Sequence, residues 1–400
     1  VIRLGAALAL VLAACIDGAG VGAALPPADT VFVTAHLDDD LIFMQPEVAD
    51  ELVRGHTTTV YVTSGDPLGL RHAHKVYGAA MVAYQARVGA SISDWQCGQI
   101  EIAGLPAHHC RLASRAISLV GLDVAEGGRY NERLDGLTHL LEGKVDALPL
   151  LGTQDGRVTV EQLIAELAAI LDASQPSALH ILDYAGSHGD DHPGHMASAA
   201  FALWAAARSS YRGPITSHRG YSVAGAPETL DADELGRALP MIRYFDACYF
   251  GCAACGTPCA MPDKSHVEWT GRQYASTTTF AVGALAAEDG RCVAVVGGAL
   301  ALAACDAPGV ARLDGDGQLV AGTACIASGD RNADPLVLGA CDGRPAARWL
   351  VDSEGGVWSA APPQPTGEDM SFDHARCLAA EPLGAPVCGS RFLARWRVVP

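Results

Sequence analysis

The chain has 400 residues, half of them hydrophobic, and a formal net charge of −18. That length exceeds one ordinary domain and points to two, with ample apolar residues for packed cores. So acidic a balance argues against nucleic acid as a partner, because binding to phosphates draws on clustered Lys and Arg.

The first segment, VIRLGAALALVLAAC, sets one basic residue, Arg3, before an apolar run that ends in small residues at Cys15. The run is too short to span a bilayer and has the length of a signal-peptide core. A buried apolar strand or helix is the competing reading. "LAAC" at 12–15 resembles a bacterial lipobox. The resemblance implies a signal peptide over 1–14, lipidation at Cys15, a tether over 15–28, and an exported lipoprotein held at a membrane in the periplasm or at the cell surface. Setting Cys15 aside leaves an even number of the 13 cysteines, as disulfide pairing in an oxidising compartment requires.

From 29 to about 245 strand and helix patterns alternate. TVFVTA (30–35), TTTVYVTSG (57–65), RAISLVGLDV (115–124) and ALHILD (178–183) read as strands rich in Val, Ile and Thr. Tyr77, Met81, Tyr84 and Val88 fall on one helical face, as do Leu163, Ile164, Leu167 and Leu171. The alternation predicts an α/β Rossmann-like parallel sheet with crossover helices. Such sheets bind ligands beyond the carboxyl ends of their strands.

Two unusual stretches lie at such ends. AHLDDD (35–40) follows the first strand, and SHGDDHPGH (187–195) follows ALHILD. Three adjacent carboxylates are unfavourable unless a positive charge sits among them. A zinc ion held by His36, Asp39 and His195, with one position open, supplies that charge. Zinc draws the pKa of a bound water toward about 7, and the neighbouring Asp38 is placed to take the proton. For any lone histidine the bland reading is a surface or capping residue, and Asp190 and Asp191 read equally as helix caps.

AHLDDD resembles the AHPDDE signature of the PIG-L/LmbE-like zinc-dependent de-N-acetylases, DHPGH (191–195) their HPDH signature, and VTSGD (62–66) their second strand end. The resemblance covers about 30–245 and implies a de-N-acetylase domain over 29–284. It implies one zinc per chain on His36, Asp39 and His195, Asp38 as general base, and His192 at the oxyanion or leaving amine. The substrate it implies is an N-acetylated amino sugar, glycan or glycoconjugate. Leu37 replaces the family's Pro. Gly194 replaces an Asp that would orient His192, a role open to Asp190 or Asp191. The Arg-Glu pair expected after the second strand is missing from RHAHKVYGAAM, leaving Lys75 as the nearest cation for substrate.

Cys97 and Cys110 flank a short loop and are able to pair. Cys248, Cys252, Cys255 and Cys259 read as two disulfides of open connectivity in an exported chain, or as a zinc knot in a cytosolic one. From 288 onward helical periodicity disappears and a unit recurs three times, with cysteine pairs Cys292/Cys305, Cys325/Cys341 and Cys377/Cys388. Ala-Arg-Trp trails the last two, ending at Trp349 and Trp396, and Ala-Arg-Leu313 stands in the first. Three short β units that cannot each close a core can close one together. The segment 288–400 resembles a ricin-type β-trefoil, an all-β fold that implies carbohydrate binding. The family's Gln two places before the Trp is Ala347 and Ala394 here, and its sugar-binding Asp is Ala294, Ala327 and Ala379. The expected function is hydrolytic removal of N-acetyl groups outside the cytoplasm. A non-catalytic glycan-binding surface lipoprotein with a degenerate enzyme domain is the alternative, and a zinc amidase for other small amides a third.

Overall fold

The structure, a computed structural model, describes residues 24–63, 70–125, 136–141, 145–151, 153, 155–183, 191–329, 335–342, 345–352, 355–359, 364–366, 371–373, 377–380, 382–384 and 395–400. The expected signal peptide, Cys15, His188, Asp190, Cys388 and Ala394 lie outside them.

β1 (Thr30–Thr34) and β2 (Thr57–Thr63) are buried at every residue. Burial on both faces is the mark of a central parallel strand covered by helices. Between them run α1 (Asp39–Phe43) and α2 (Glu47–Arg54). α3 (Leu70–Val88) follows, then an antiparallel hairpin of β3 (Trp95–Ile102) and β4 (Leu105–Leu112), and β5 (Ile117–Val124). Next come α4 (Leu137–Leu141), the short pair β6 (Leu148–Pro149) and β7 (Arg157–Val158), α5 (Val160–Ser174) and β8 (Ala178–Leu182). α6 (Pro193–Arg208), β9 (Ile215–His218), α7 (Ala232–Tyr249), α8 (Lys264–Thr270) and β10 (Ala275–Thr279) complete this part.

The large sheet is mixed. Its parallel centre runs β5-β2-β1-β8-β9, with β4 and β3 added antiparallel on one side and β10 on the other. The order reverses direction between β1 and β8, and chain leaving two adjacent strands there diverges to opposite faces and opens a crevice. The first motif stretch follows β1 at that reversal, and the described part of the second, 191–195, meets it there. Apolar spacing placed the helices correctly: Tyr77, Met81 and Tyr84 of α3 and Leu163, Ile164, Leu167 and Leu171 of α5 are buried. α5 starts on a reciprocal capping box between Thr159 and Gln162. α6 starts with Pro193 in its first turn and is buried along almost its whole length, its alanines letting the sheet approach closely.

The hairpin β3–β4 carries the Cys97–Cys110 disulfide across directly paired residues. The four-cysteine cluster after α7 forms two interleaved bridges, Cys248–Cys255 and Cys252–Cys259, which resolves its open connectivity in favour of disulfides. Cys292–Cys305 and Cys325–Cys341 pair as the repeat predicts, and Cys377 is also disulfide-bonded. This many bridges points to an oxidising compartment. No helix among the described residues is long and apolar enough to cross a membrane.

The C-terminal region is antiparallel. β11 (Gly283–Ala286), β12 (Arg291–Val296), β13 (Ala299–Ala304), β14 (Arg312–Leu313), β15 (Leu319–Ala321), β16 (Ala324–Ala327) and β17 (Val337–Gly339) form a second sheet. The repeats share one core that includes Val293, Leu313, Ile326, Trp349, Leu378 and Trp396. Trp349 Nε1 donates to the Ile326 carbonyl and Trp396 Nε1 to the Leu378 carbonyl, each at 2.8 Å. Each acceptor is the residue after a unit's first cysteine, so the sequence repeat is a repeat of one hydrogen bond. The backbone N–H of Trp349 and Trp396 is met by Gly317 and Gly355 carbonyls. Gly355 has φ +87°, and a Cβ there would stand 2.7 Å from the Trp396 carbonyl oxygen, so glycine is required. β18 (Trp349–Asp352) and β19 (Val357–Ser359) do not stay within that region. They extend the large sheet through β10, with Thr278 opposite Asp352 and Thr279 opposite Val351.

One buried acid sits within the core of the large-sheet region. Glu166 on α5 is fully buried and neither carboxylate oxygen has a hydrogen-bond partner among the described residues. Burial raises its pKa to about 8 from 4.5, so the native state holds a proton that the unfolded chain releases. Its contribution is complete below about pH 4.5 and is lost as pH rises through about 8. Glu166→Gln is therefore expected to be more stable than wild type at pH 9, on the order of 2 kcal/mol, and little different at pH 4. Melting curves of both proteins at the two pH values check this.

Candidate functional site

The chain leaving β1 turns at once. Thr63 on β2 holds the Ala35 carbonyl through both its N–H (2.9 Å) and its hydroxyl (3.0 Å). Thr34 Oγ1 donates to the His36 carbonyl at 2.9 Å. The Asp39 carboxylate folds back to accept the His36 N–H at 2.7 Å. This explains the three-residue spacing of the motif: the bond brings an Asp39 oxygen to 3.3 Å from His36 Nδ1. Leu37 is buried in the core.

From the other side of the crevice, α6 presents His195 in its first turn, fully buried. Its Nε2 lies 3.0 Å from Asp39 Oδ1 and 3.2 Å from His36 Nδ1. Residues 159 apart in the chain thus place three donor atoms around one point. Ligands around a tetrahedral cation with bonds of 2.0–2.2 Å stand about 3.3–3.6 Å apart. Spacings of 3.0–3.4 Å lie at or a few tenths of an ångström below that range, so a slight widening would admit a small divalent ion, and two imidazoles with one carboxylate suit zinc. His192 gathers with the two histidines: donor atoms of His36, His192 and His195 lie within 4.8 Å of one another, and the His192 ring is 4.7 Å from that of His36 and 5.3 Å from that of His195.

Asp191 organises the second motif. It accepts backbone N–H groups from His192 (2.7 Å), Gly220 (3.0 Å) and Tyr221 (3.0 Å), and faces His195 Nδ1 at 2.9 Å. A carboxylate so held fixes the imidazole's orientation and leaves Nε2 for the site. The sequence left Asp190 or Asp191 open as a support for His192; Asp190 lies outside the described residues, and the Asp191 side chain meets the His192 backbone N–H and the ring of His195. The Gly194 N–H donates to His192 Nδ1 at 3.1 Å. With Nδ1 an acceptor, neutral His192 carries its proton on Nε2.

The three aspartates have three environments. Burial opposes ionisation of Asp39, but the imidazoles of His195 and His36 outweigh it and hold the carboxyl well below the usual carboxylate range. Burial likewise opposes a charged His195, yet Asp39 and Asp191 flank it and raise its pKa to about 9. Asp40 turns into the core, where burial lifts its pKa to about 7 against a 2.5 Å hydrogen bond from the Tyr84 hydroxyl. Asp38 is raised by burial and by Asp39, while His266, His36 and His195 pull it down. It occupies the N-cap of α1 without making a capping bond.

His266 was not singled out in the sequence. It lies on α8, buried, with Nδ1 2.8 Å from Asp246 Oδ1 on α7. An aromatic wall completes the surroundings: Tyr221 stacks on His195 (5.1 Å), Phe43 meets both, and Trp269 lies 4.8 Å from Tyr221. Lys75, the expected substrate cation, donates to the Tyr249 carbonyl at 2.7 Å, tying α3 to the end of α7. His180 and His218 form a separate pair at 2.9 Å, both held neutral by burial, and belong to the core.

Gly220 offers a test of the Asp191 support. A Cβ there would stand 2.4 Å from His195 Nδ1 and 2.5 Å from Asp191 Oδ1, so Gly220→Ala must push these groups apart. Loss of such an outer partner costs about 10–100-fold in metal affinity. Zinc titration of the alanine variant against wild type should read a weakening of that size, and unchanged affinity would mean the contact is dispensable.

No family model matches the chain, and no curated protein does. Solved structures similar to it include a non-toxic homologue of type II RIPs from Momordica charantia, studied in complex with alpha-methyl-D-galactoside. That likeness has 12% identity over 32% of this chain and a TM-score of 0.23, and the match spans about half, 52%, of the gourd protein. The conserved protein TT1542 from Thermus thermophilus is similar at 13% identity over 56% of this chain and 79% of that one, with a TM-score of 0.30. A deacetylase of the teicoplanin biosynthesis pathway is similar at 16% identity over 53% of this chain and 81% of that one, also with a TM-score of 0.30.

Proposed function

We propose that the chain is a zinc-dependent hydrolase that removes N-acetyl groups from an amino sugar, glycan or glycoconjugate outside the cytoplasm. The observation that carries this reading is the meeting of His36 Nδ1, Asp39 Oδ1 and His195 Nε2 within 3.0–3.4 Å of one another at the strand-order reversal. They come from the two motifs that resemble the PIG-L/LmbE signatures, on a Rossmann-like sheet.

In this reading His36, Asp39 and His195 hold the ion. Zinc, when bound, polarises an amide carbonyl and makes water acidic enough to attack it at neutral pH. Asp38 takes the proton of the attacking water. His192, with its proton on Nε2, donates to the developing oxyanion and then toward the departing amine. Asp191 keeps His195 in place, and Phe43, Tyr221 and Trp269 limit the water around the reacting carbonyl. The C-terminal region is read as a β-trefoil that holds the enzyme near a polymeric glycan, and Cys15 as the lipid anchor.

Incubating the zinc-loaded protein with N-acetylglucosamine compounds and with non-sugar acetamides is the direct test. Release of acetate from the sugars supports the proposal. Turnover of the non-sugar amides alone would replace the substrate class, and no turnover on either, with glycan retention by the chain, would leave the binding-protein alternative.

A further inference from the structure

A second group of donor atoms lies on the same sheet edge, away from the site above. It is built on α3, β4 and β5. Tyr77 on α3 donates its hydroxyl to the Leu119 carbonyl of β5 at 2.5 Å. Gly121 makes room for this close approach: a Cβ there would already stand 3.3 Å from the Tyr77 ring. The helix is thereby fixed over the two strands, and His74, one turn before Tyr77, is presented to them. Directly opposite Gly121 in the ladder is His108 of β4.

His74 Nε2 and His108 Nε2 are 3.3 Å apart, and His108 Nε2 is 3.0 Å from Asp123 Oδ2. The donor atoms of all three residues lie within 4.8 Å of one another. Asp123 has φ +51°, and it falls where the pairing of β2 and β5 slips between Tyr61 and Thr63. A bulge re-aims a side chain, and a left-handed non-glycine residue costs roughly 1 kcal/mol, which a fold retains where the surroundings require it. Proton sharing serves this arrangement poorly: one proton on His108 Nε2 must answer both a carboxylate and a second imidazole nitrogen. A divalent cation answers all three donors at once. The two close spacings, 3.3 Å and 3.0 Å, fall within the range at the first site, and the donor set is again two imidazoles and one carboxylate, which suits zinc.

We propose that His74, His108 and Asp123 form a second zinc site. β5 is two strands from β1, so the two ions stand at least about 10 Å apart. That exceeds the roughly 3.5–4 Å of metal pairs that act on one substrate together. The second ion is therefore a clamp, fastening α3 to β4 and β5 in the way that structural zinc sites contribute to folding.

The experiment is metal content after dialysis of the full chain against buffered zinc, for wild type, His108→Ala, His74→Gln and His195→Ala. Two zinc ions per chain in wild type are expected, one in each single variant, and none in His108→Ala/His195→Ala. His74→Gln is the milder change, at a half-buried helix position, and keeps the test open should His108→Ala fail to fold. One ion in wild type that both histidine variants of the second site retain would overturn the proposal, as would two ions that they retain. One ion lost in His108→Ala and kept in His195→Ala would support the second site while removing the zinc reading of the first.

Discussion

If the proposed function holds, replacing His195 with alanine is expected to abolish zinc binding at His36, Asp39 and His195 and to lower acetate release by about a thousandfold or more. The size follows from the several kcal/mol that a Lewis acid contributes to a polarised carbonyl, with each 1.36 kcal/mol a factor of ten in rate. The geometry makes His195 the sharpest choice among the three ligands. It is the only one of them drawn from the second motif, and its imidazole stands between two carboxylates, Asp39 at 3.0 Å and Asp191 at 2.9 Å. Its loss leaves both acids buried without their shared partner, which costs about 3–5 kcal/mol for a broken buried pair. His195→Gln keeps a hydrogen-bond donor in the same place and separates the two effects. It should fold more nearly as wild type does, yet still bind zinc poorly. A glutamine variant that retains both full zinc and full turnover would remove His195 from the site.

What could be foreseen from the residues depended on the range of the interactions. His36 and Asp39 were legible because their contact closes within three residues, through a single N–H to carboxylate bond. β1 and β2 were legible because Val and Thr fill strands that are buried on both faces. The hairpin β3–β4 was not, since its residues alternate irregularly between buried and exposed, and only Cys97 and Cys110 hinted at it. Asp191 was noticed, but its contact with the His195 ring was not foreseen. Four residues along a helix start, His195 lies as near to it as His192, and sequence alone does not tell which ring turns toward it. Asp246 and His266 belong to no motif and meet across two helices. The Trp349 and Trp396 positions were visible as a repeat, but the departure of β18 and β19 to pair with β10 was not, because it depends on contacts between segments far apart in the chain, Thr278 with Asp352 and Thr279 with Val351.

On the proposed function, Asp38→Asn is expected to lower turnover by about 10²–10⁴-fold, the usual contribution of a general base, while zinc binding at His36, Asp39 and His195 is unchanged. The change is nearly isosteric and removes only the ability to take a proton. Its effect on stability separates catalysis from structure. Asp38 stands at the N-cap of α1 but makes no capping bond, so the helix loses no hydrogen bond in the variant. Burial and the neighbouring Asp39 both work against its charge, and an amide relieves both; the lost attraction to His266, His36 and His195 works in the opposite direction. A residue kept for structure would lower the melting temperature when changed. A residue kept for chemistry at the expense of stability should leave it level or raise it. The expected pair of results is thus a large fall in acetate release and a melting temperature no lower than that of wild type. A lower melting temperature with turnover intact would make Asp38 a structural residue and transfer the proton-accepting role to another group at the crevice.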